Sequence, residues 1–210
     1  MSYKQQLDNI ANELQDLIIS NGDGVEIFTE DYGWKNKRYV GSNFRIAHIE
    51  RYSDANLEVL HFTCFPDAIY QHPIFGFDII TTEKKPLAAF MDWSPVDNSL
   101  GYKPKNQFEK QYPLPEWAKL IFSSTPLAIV PNDEEMPKLG RVVIDSFTDY
   151  LETLLNSKSN PDRTQYIIAA QNRYCENQQK NERTYNVLKA KLGQEKAKYF
   201  METILFPKIV

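Results

Sequence analysis

Leu7, Ile10, Leu14, Leu17 and Ile18 recur at the three- and four-residue spacing of one helix face, so the chain is expected to open on an amphipathic helix. Asn21-Gly22-Asp23-Gly24 ends it, because glycine accepts the left-handed backbone of a helix stop. Beyond that point the period falls to two. Val25 to Phe28, Trp34 to Val40, Phe44 to Tyr52, Leu57 to Phe65, Phe75 to Thr81 and Leu87 to Trp93 are β-branched or aromatic runs between short polar or Gly/Pro breaks, and read as strands. Short connections favour antiparallel neighbours, since parallel ones need a long crossover. Residues 94–118 hold four of the twelve prolines and predict a long surface loop with a short helix near Trp117. A further strand, Pro126 to Pro131, precedes the switch back to helical spacing. Asn132-Asp133-Glu134-Glu135 suits a helix N-terminus, followed by the stripe Met136, Val143, Phe147, Tyr150, Leu151 and Leu154. After a break at Pro161, Asp162 is a candidate cap for a helix that turns Tyr166, Ile167, Ala170 and Tyr174 to one side. A last helical stretch runs through Val187, Leu188, Ala197, Phe200, Met201, Ile204 and Leu205, divided by Gly193. Strands first and helices later predict an α+β fold in one domain, residues 1–210, with helices packed on a mostly antiparallel sheet.

Composition narrows the function. The 210 residues carry a net charge of −4, against the basic excess usual for nucleic-acid binding. Twelve Tyr, twelve Phe and three Trp supply enough aromatic surface to build a broad core or to line a pocket for a flat apolar ligand. Cys64 and Cys175 are too few for a disulfide framework. No apolar run approaches the roughly 20 residues that span a bilayer, and Met-Ser-Tyr-Lys-Gln-Gln lacks a signal-like apolar region. A soluble cytoplasmic protein, with no nucleic-acid or membrane partner and monomeric, is the expectation.

Familiar chemistry is missing. His48-Ile49-Glu50 resembles half of a zinc-deaminase signature, but no Cys-x-x-Cys follows. A three-histidine zinc site (His48, His61, His72) is conceivable, with spacing that is not diagnostic. The eight glycines are scattered, so no phosphate loop or dinucleotide fingerprint forms. What stands out is polarity on apolar strands. Alternation puts Phe44, Ile46, His48, Glu50 and Tyr52 on one face, and Val59, His61, Thr63 and Phe65 on one face of the next strand. Asp78 lies between large apolar neighbours on the strand after that. Singly, each is a hydrogen-bonded core group. Together they suggest use, because burying an unpaired charge costs several kcal/mol. Burial raises a carboxyl's pKa and keeps it able to donate a proton near neutrality.

Val59-Leu60-His61-Phe62-Thr63-Cys64-Phe65-Pro66 and His72-Pro73-Ile74-Phe75-Gly76-Phe77-Asp78-Ile79-Ile80 resemble the core signature of ferredoxin-dependent bilin reductases. Met91-Asp92-Trp93-Ser94-Pro95 is similar to that family's Asp-x-Ser-Pro, and Tyr112 to Trp117 to its proline-rich approach to a tryptophan. Tyr174-Cys175, Gln178 to Thr184 and Met201 to Phe206 extend the likeness over nearly the whole chain, nearest to the phycocyanobilin:ferredoxin oxidoreductase branch. The resemblance implies a three-layer α/β/α sandwich holding biliverdin IXα between sheet and C-terminal helices. It also implies four-electron reduction through bilin radicals with no bound cofactor, the electrons coming from a reduced [2Fe-2S] ferredoxin. It makes Asp78 the central proton donor, His61 its proton-sharing partner and Glu50 the donor to an exocyclic vinyl group. His48, Asn181, Glu182, Arg183 and Phe75 become substrate contacts. Arg183 or Lys180 is a candidate for the propionates, with a solvated helix end as the other reading of each.

Two positions depart from the pattern. Glu182 stands where relatives often carry a second aspartate, and Val130 where the phycocyanobilin branch has a propionate-binding arginine. The chain is also short for that branch, which points to the marine or phage-type forms that make phycoerythrobilin through 15,16-dihydrobiliverdin. The intact Glu50, His61 and Asp78 set keeps phycocyanobilin open. A bilin carrier on the same scaffold and an unrelated structural α+β domain are the non-enzymatic alternatives. Ferredoxins are usually acidic, so Lys84-Lys85, Lys103, Lys105 and Lys110 are candidate docking residues.

Overall fold

The computed structural model describes residues 1–97, 99, 108–114, 118 and 120–210. Seven strands pair in chain order, each antiparallel to the next: β1 (Val25–Ile27), β2 (Lys35–Val40), β3 (Phe44–Ser53), β4 (Glu58–Pro66), β5 (Ile74–Thr81), β6 (Pro86–Ser94) and β7 (Leu127–Ile129). Before the sheet comes α1 (Tyr3–Ser20), and after it α2 (Met136–Leu155), α3 (Thr164–Gln179), α4 (Glu182–Leu192) and α5 (Gln194–Tyr199), which continues as a π-helical turn over Phe200–Leu205. The loop and short helix predicted within 94–118 lie largely outside the described residues.

Strand alternation divides the chain into two cores. Phe62, Phe75, Phe77 and Ile79 point to one side, where the Leu7, Leu14 and Ile18 face of α1 and the Val143, Phe147 and Leu151 face of α2 bury them. Each fully buried side chain of this kind contributes about 1.5–3 kcal/mol. Ile46, Phe65 and Ile74 point to the other side, under α3, α5 and the π-helical turn, through Ile167, Cys175, Phe200 and Ile204. The result is the expected α+β, three-layer sandwich.

Four local expectations are corrected. The left-handed residue that ends the α1 turn is Asp23 (φ 54°), whereas a Cβ on Gly22 or Gly24 would stand 2.8 Å from the Ile18 carbonyl oxygen. Phe44 leaves the face of Glu50, because Phe44 pairs with Pro66 and Ile46 with Phe65, so that β3 spends two residues against one of β4. Asp162 does not cap α3. It sits in a 3-10 turn, Pro161–Arg163, and α3 begins without a side-chain cap. Tyr166 is exposed and carries Arg163 over its ring, while the buried stripe of α3 runs through Ile167, Gln171, Tyr174, Cys175 and Gln178.

Candidate active site

The β3–β4–β5 register sets Glu50 opposite His61 and His61 opposite Asp78, so the three side chains form one row across the sheet beneath the C-terminal helices. His61 Nδ1 lies 2.6 Å from Asp78 Oδ1. The histidine is buried, and the aspartate side chain is 38% exposed, which opens it to the space above the sheet. Burial works against charging His61, but the adjacent Asp78 carboxylate, with Glu50 on the other side, outweighs it and holds the imidazolium above its ordinary pKa. Glu50 is pushed up to about 7 by burial, against the lowering influence of His61 and of a hydrogen bond from Trp34. Near neutral pH this row therefore contains a carboxyl that still holds its proton and an imidazole that readily takes one.

The β2 strand and Trp34 just before it back the row, a contribution that sequence reasoning missed. Trp34 Nε1 donates to Glu50 Oε1 at 2.8 Å, and Asn36 Oδ1 meets His48 Nε2 at 3.0 Å. Asn36 gives its own amide protons to the Trp34 carbonyl, which fixes Oδ1 toward His48 and puts the His48 proton on Nε2. His48 is fully buried, and burial holds its pKa far below the ordinary value, so it is neutral. Its Nδ1, with His61 Nε2 and Thr63 Oγ1, is a buried polar atom that no described residue satisfies. Thr63 is the cross-strand partner of His48, and the two imidazole rings stand 6.2 Å apart. The signal that could have revealed β2 is the alternation Trp34, Asn36, Arg38, which places polar side chains on the inward face.

Two adjoining cavities of about 200 and 410 Å³ lie between this face and α4. Trp34, Glu50, His61, Leu188 and Phe206 line the first, and Phe90, Tyr112, Leu114 and Phe122 the second. Asp78, Gln178, Asn181 and Arg183 border both, so Asp78 stands at their seam. Arg183 Nη1 donates to the Tyr112 hydroxyl at 3.0 Å, and Lys191 Nζ to Asp54 Oδ2 at 2.6 Å, pinning α4 over the sheet at both ends. The walls are chiefly aromatic and aliphatic, and the only carboxyls among the described lining residues are Glu50 and Asp78, suiting a flat, conjugated ligand that must receive protons.

Asp78, His61, Glu50, Asn181 and Arg183 thus converge, and His48 backs them. Phe75 does not. It is three residues from Asp78, hence on the opposite side of the sheet, packed against Phe62, Phe147 and Tyr150. Glu182 is exposed and lines neither cavity, because the inward face of α4 runs through Thr184, Val187, Leu188 and Lys191. Lys180 is exposed too and, among the described residues, reaches only Asn177, which leaves Arg183 as the cation of that pair at the cavities. His72 lies under α2, bonded to Thr153 and against Tyr150, so the three histidines do not converge. Asp92, of the Asp-x-Ser-Pro resemblance, accepts from the Ser94 hydroxyl and from the Ser123 amide and hydroxyl, and so anchors a loop.

Comparison with known proteins decides what this arrangement belongs to. The sequence profile described as "Ferredoxin-dependent bilin reductase" matches residues 9–207. The chain belongs to the ferredoxin-dependent bilin reductase family. It is 33% identical, over 84% of its length and 76% of the relative's, to the phycocyanobilin:ferredoxin oxidoreductase of Prochlorococcus marinus. The solved structure of a protein named PcyX is similar over 97% of this chain and 99% of that one, with 25% identity and a TM-score of 0.70. Tomato phytochromobilin synthase, solved in complex with biliverdin, is similar over 96% of this chain and 82% of that one at 18% identity and a TM-score of 0.74, a likeness of fold. The chain is therefore an enzyme of the bilin-reducing, ferredoxin-dependent class, and among its described residues no helix is long and apolar enough to cross a membrane.

Proposed function

We propose that this bilin reductase binds biliverdin IXα in the paired cavities and reduces it by four electrons, delivered singly from a reduced [2Fe-2S] ferredoxin. The observation that carries this is the Glu50–His61–Asp78 row, the only carboxyls among the described residues of the cavity walls, joined through one imidazole beneath the C-terminal helices. A linear tetrapyrrole is conjugated enough to hold an odd electron, so the pigment serves as its own redox centre and needs no second bound cofactor. Each electron makes it more basic. Asp78 and His61 then supply a proton at the seam, Glu50 supplies one at the end of the first cavity, and the aromatic walls keep competing water away. Arg183, on the border of both cavities, exchanges its Tyr112 contact for a propionate.

For the product, phycoerythrobilin through 15,16-dihydrobiliverdin is the proposal. The match to PcyX is nearly full length, whereas the phycocyanobilin relative is covered over 76%. With Glu182 turned outward, a second acid from α4 is not available for the far side of the pigment. Phycocyanobilin is the second reading, favoured by the intact Glu50, His61 and Asp78 set. Anaerobic incubation with biliverdin IXα and reduced ferredoxin, followed by product chromatography, is expected to yield blue-shifted, fully reduced phycobilin. A bound but unaltered bilin spectrum would instead make the chain a carrier.

The ferredoxin is proposed to dock on the helical roof. Residues 180–198 carry six basic and two acidic side chains, although the whole chain is at −4. Lys189 and Lys196 are exposed there, as are Lys84 and Lys85 on the β5–β6 turn, whose flanking Ile80 and Leu87 line the second cavity. Lys110 is exposed as well, whereas Lys103 and Lys105 lie outside the described residues. Turnover is expected to fall about fivefold between 50 and 300 mM salt, and Lys189→Glu/Lys196→Glu to lower kcat/KM for ferredoxin about tenfold with bilin binding unchanged. A loss confined to Lys84→Glu/Lys85→Glu would move the dock to the turn.

A further inference from the structure

We propose that Trp34 is a positioning residue for bilin reduction: its indole N–H occupies Oε1 of Glu50 and so reserves Oε2 for the proton that Glu50 delivers. This rests on the reading of Glu50 as a donor to the substrate. An indole N–H is a donor only. Oε1 must therefore accept in both protonation states, at 2.8 Å from Trp34 Nε1, and the acidic proton of a neutral Glu50 has only Oε2 to occupy. When the Oε2–H bond breaks and a C–H bond forms on the electron-charged bilin, a negative charge appears on the carboxyl. The hydrogen bond already standing at Oε1 becomes charge-assisted at that moment, so it favours the transition state more than the ground state.

The indole is fixed well enough for this task. It stands edge to face with Tyr52 of β3 at 5.4 Å and with Phe200 of the C-terminal helix at 5.5 Å. Gly33 just before it has φ 82°, a left-handed backbone held by the Asp31 carboxylate on its N–H at 2.7 Å, and this turn aims Trp34 into the face that carries Glu50. Among the described residues the titratable and charged groups around Glu50 are few, and Arg183 of α4, which lines the same cavity, gives its Nη1 proton to Tyr112. His61 on β4 and Asp78 on β5 belong to its row, His48 and Arg38 face each other one pair along on β3 and β2, and Lys191 of α4 is paired with Asp54. Tyr52 gives its hydroxyl proton to Asp54 and so does not compete for Glu50.

Trp34→Phe keeps an aromatic ring against Tyr52 and Phe200 and removes only the donor. In the full-length variant, kcat is expected to fall about tenfold with KM for biliverdin within about twofold, and the alkaline limb of the kcat–pH profile to move up by about one unit, because the carboxylate loses its partner. An unmoved limb would overturn the proposal, since a merely structural tryptophan would lower the rate without shifting it. A second measurement needs neither bilin nor turnover. The Trp34 indole ¹⁵N–¹H resonance of the ligand-free protein, identified by its absence in Trp34→Phe, is expected to titrate with a midpoint near 7, where burial and its neighbours set Glu50, and to stop titrating in Glu50→Gln. A resonance that does not move between pH 5 and 9 refutes the contact. Failure of the bilin-reductase reading would show separately, as a wild-type protein that titrates in this way but does not turn biliverdin over.

Discussion

Asp78→Asn is expected to bind biliverdin and accept electrons yet to stall, with turnover lower by about three orders of magnitude, the scale of a lost general acid. Asparagine is nearly isosteric and keeps an oxygen that can accept from His61 Nδ1, so the 2.6 Å contact and the fold survive. What disappears is acidity, and it disappears twice. The amide cannot take up the His61 proton across that contact and pass it to a carbon. It also removes the negative charge that sustains His61, leaving burial to dominate and push the imidazole below its ordinary pKa. One substitution thus disables the donor at the seam and the group that would resupply it. An organic radical should accumulate, visible by paramagnetic resonance and by its absorption in an anaerobic stopped-flow experiment. Wild-type product formation in this variant would remove Asp78 from the mechanism.

The part of the site that was legible in the sequence is the part governed by parity. His48, Glu50, His61 and Asp78 interrupt runs of large apolar residues, and strand alternation carries each to the face on which it is found. Phe75 was misjudged against the same rule. Three residues from Asp78 means the other side of the sheet, but the resemblance carries Phe75 over as a substrate contact with the signature that holds Asp78. Phe44 could not have been placed, because the extra residue that flips it, Arg45, is selected by what it reaches across the layer: Gln171 of α3 and the Pro207 carbonyl. A bulge stabilised by such distant partners leaves no local pattern.

Helix phase accounts for other misses. Each residue of uncertainty in a helix start rotates the face by about 100°, and Glu182, at the first position of α4, falls outside the inward stripe by that margin. In α3 the buried stripe contains Gln171, which bonds Arg45 and the Pro66 carbonyl, and Gln178, which bonds the Tyr174 hydroxyl. Polar residues satisfied by tertiary partners look like surface in a one-dimensional reading. Lys35-Asn36-Lys37-Arg38 likewise reads as a solvated strand near the sheet edge, yet Asn36 orients His48. The chemistry-bearing row was thus visible from its contrast with apolar neighbours, whereas the side chains that orient it were camouflaged among polar ones.

At pH 8, Glu50→Gln is expected to be more stable than the wild type, and at pH 5 no more stable. Glu50 is pushed up in the folded protein to about 7 from an ordinary value of 4.5, with burial the largest cause. Between those values the unfolded chain has released the proton that the folded chain keeps, so wild-type stability falls as pH rises through this window. Above it, the accumulated loss is on the order of 3 kcal/mol. Glutamine never ionises and can still accept from Trp34 through its amide oxygen, so it escapes that loss. His61, whose folded pKa is also raised, contributes stability that is full below about 6.5 and falls as pH climbs through its folded value. Since Glu50 supplies part of that raise, the glutamine variant forfeits a little of it, which trims the gain. Urea midpoints at pH 5 and 8 would read the difference, with a Tm gain of about 5 °C at the higher pH. Parallel stability profiles would mean that Glu50 titrates like a surface carboxylate and holds no proton near neutrality. The same variant should accumulate a half-reduced bilin, because the substitution that relieves a buried charge also removes a proton source. A site that keeps a carboxyl where it is least content to ionise trades stability for a donor that works at neutral pH.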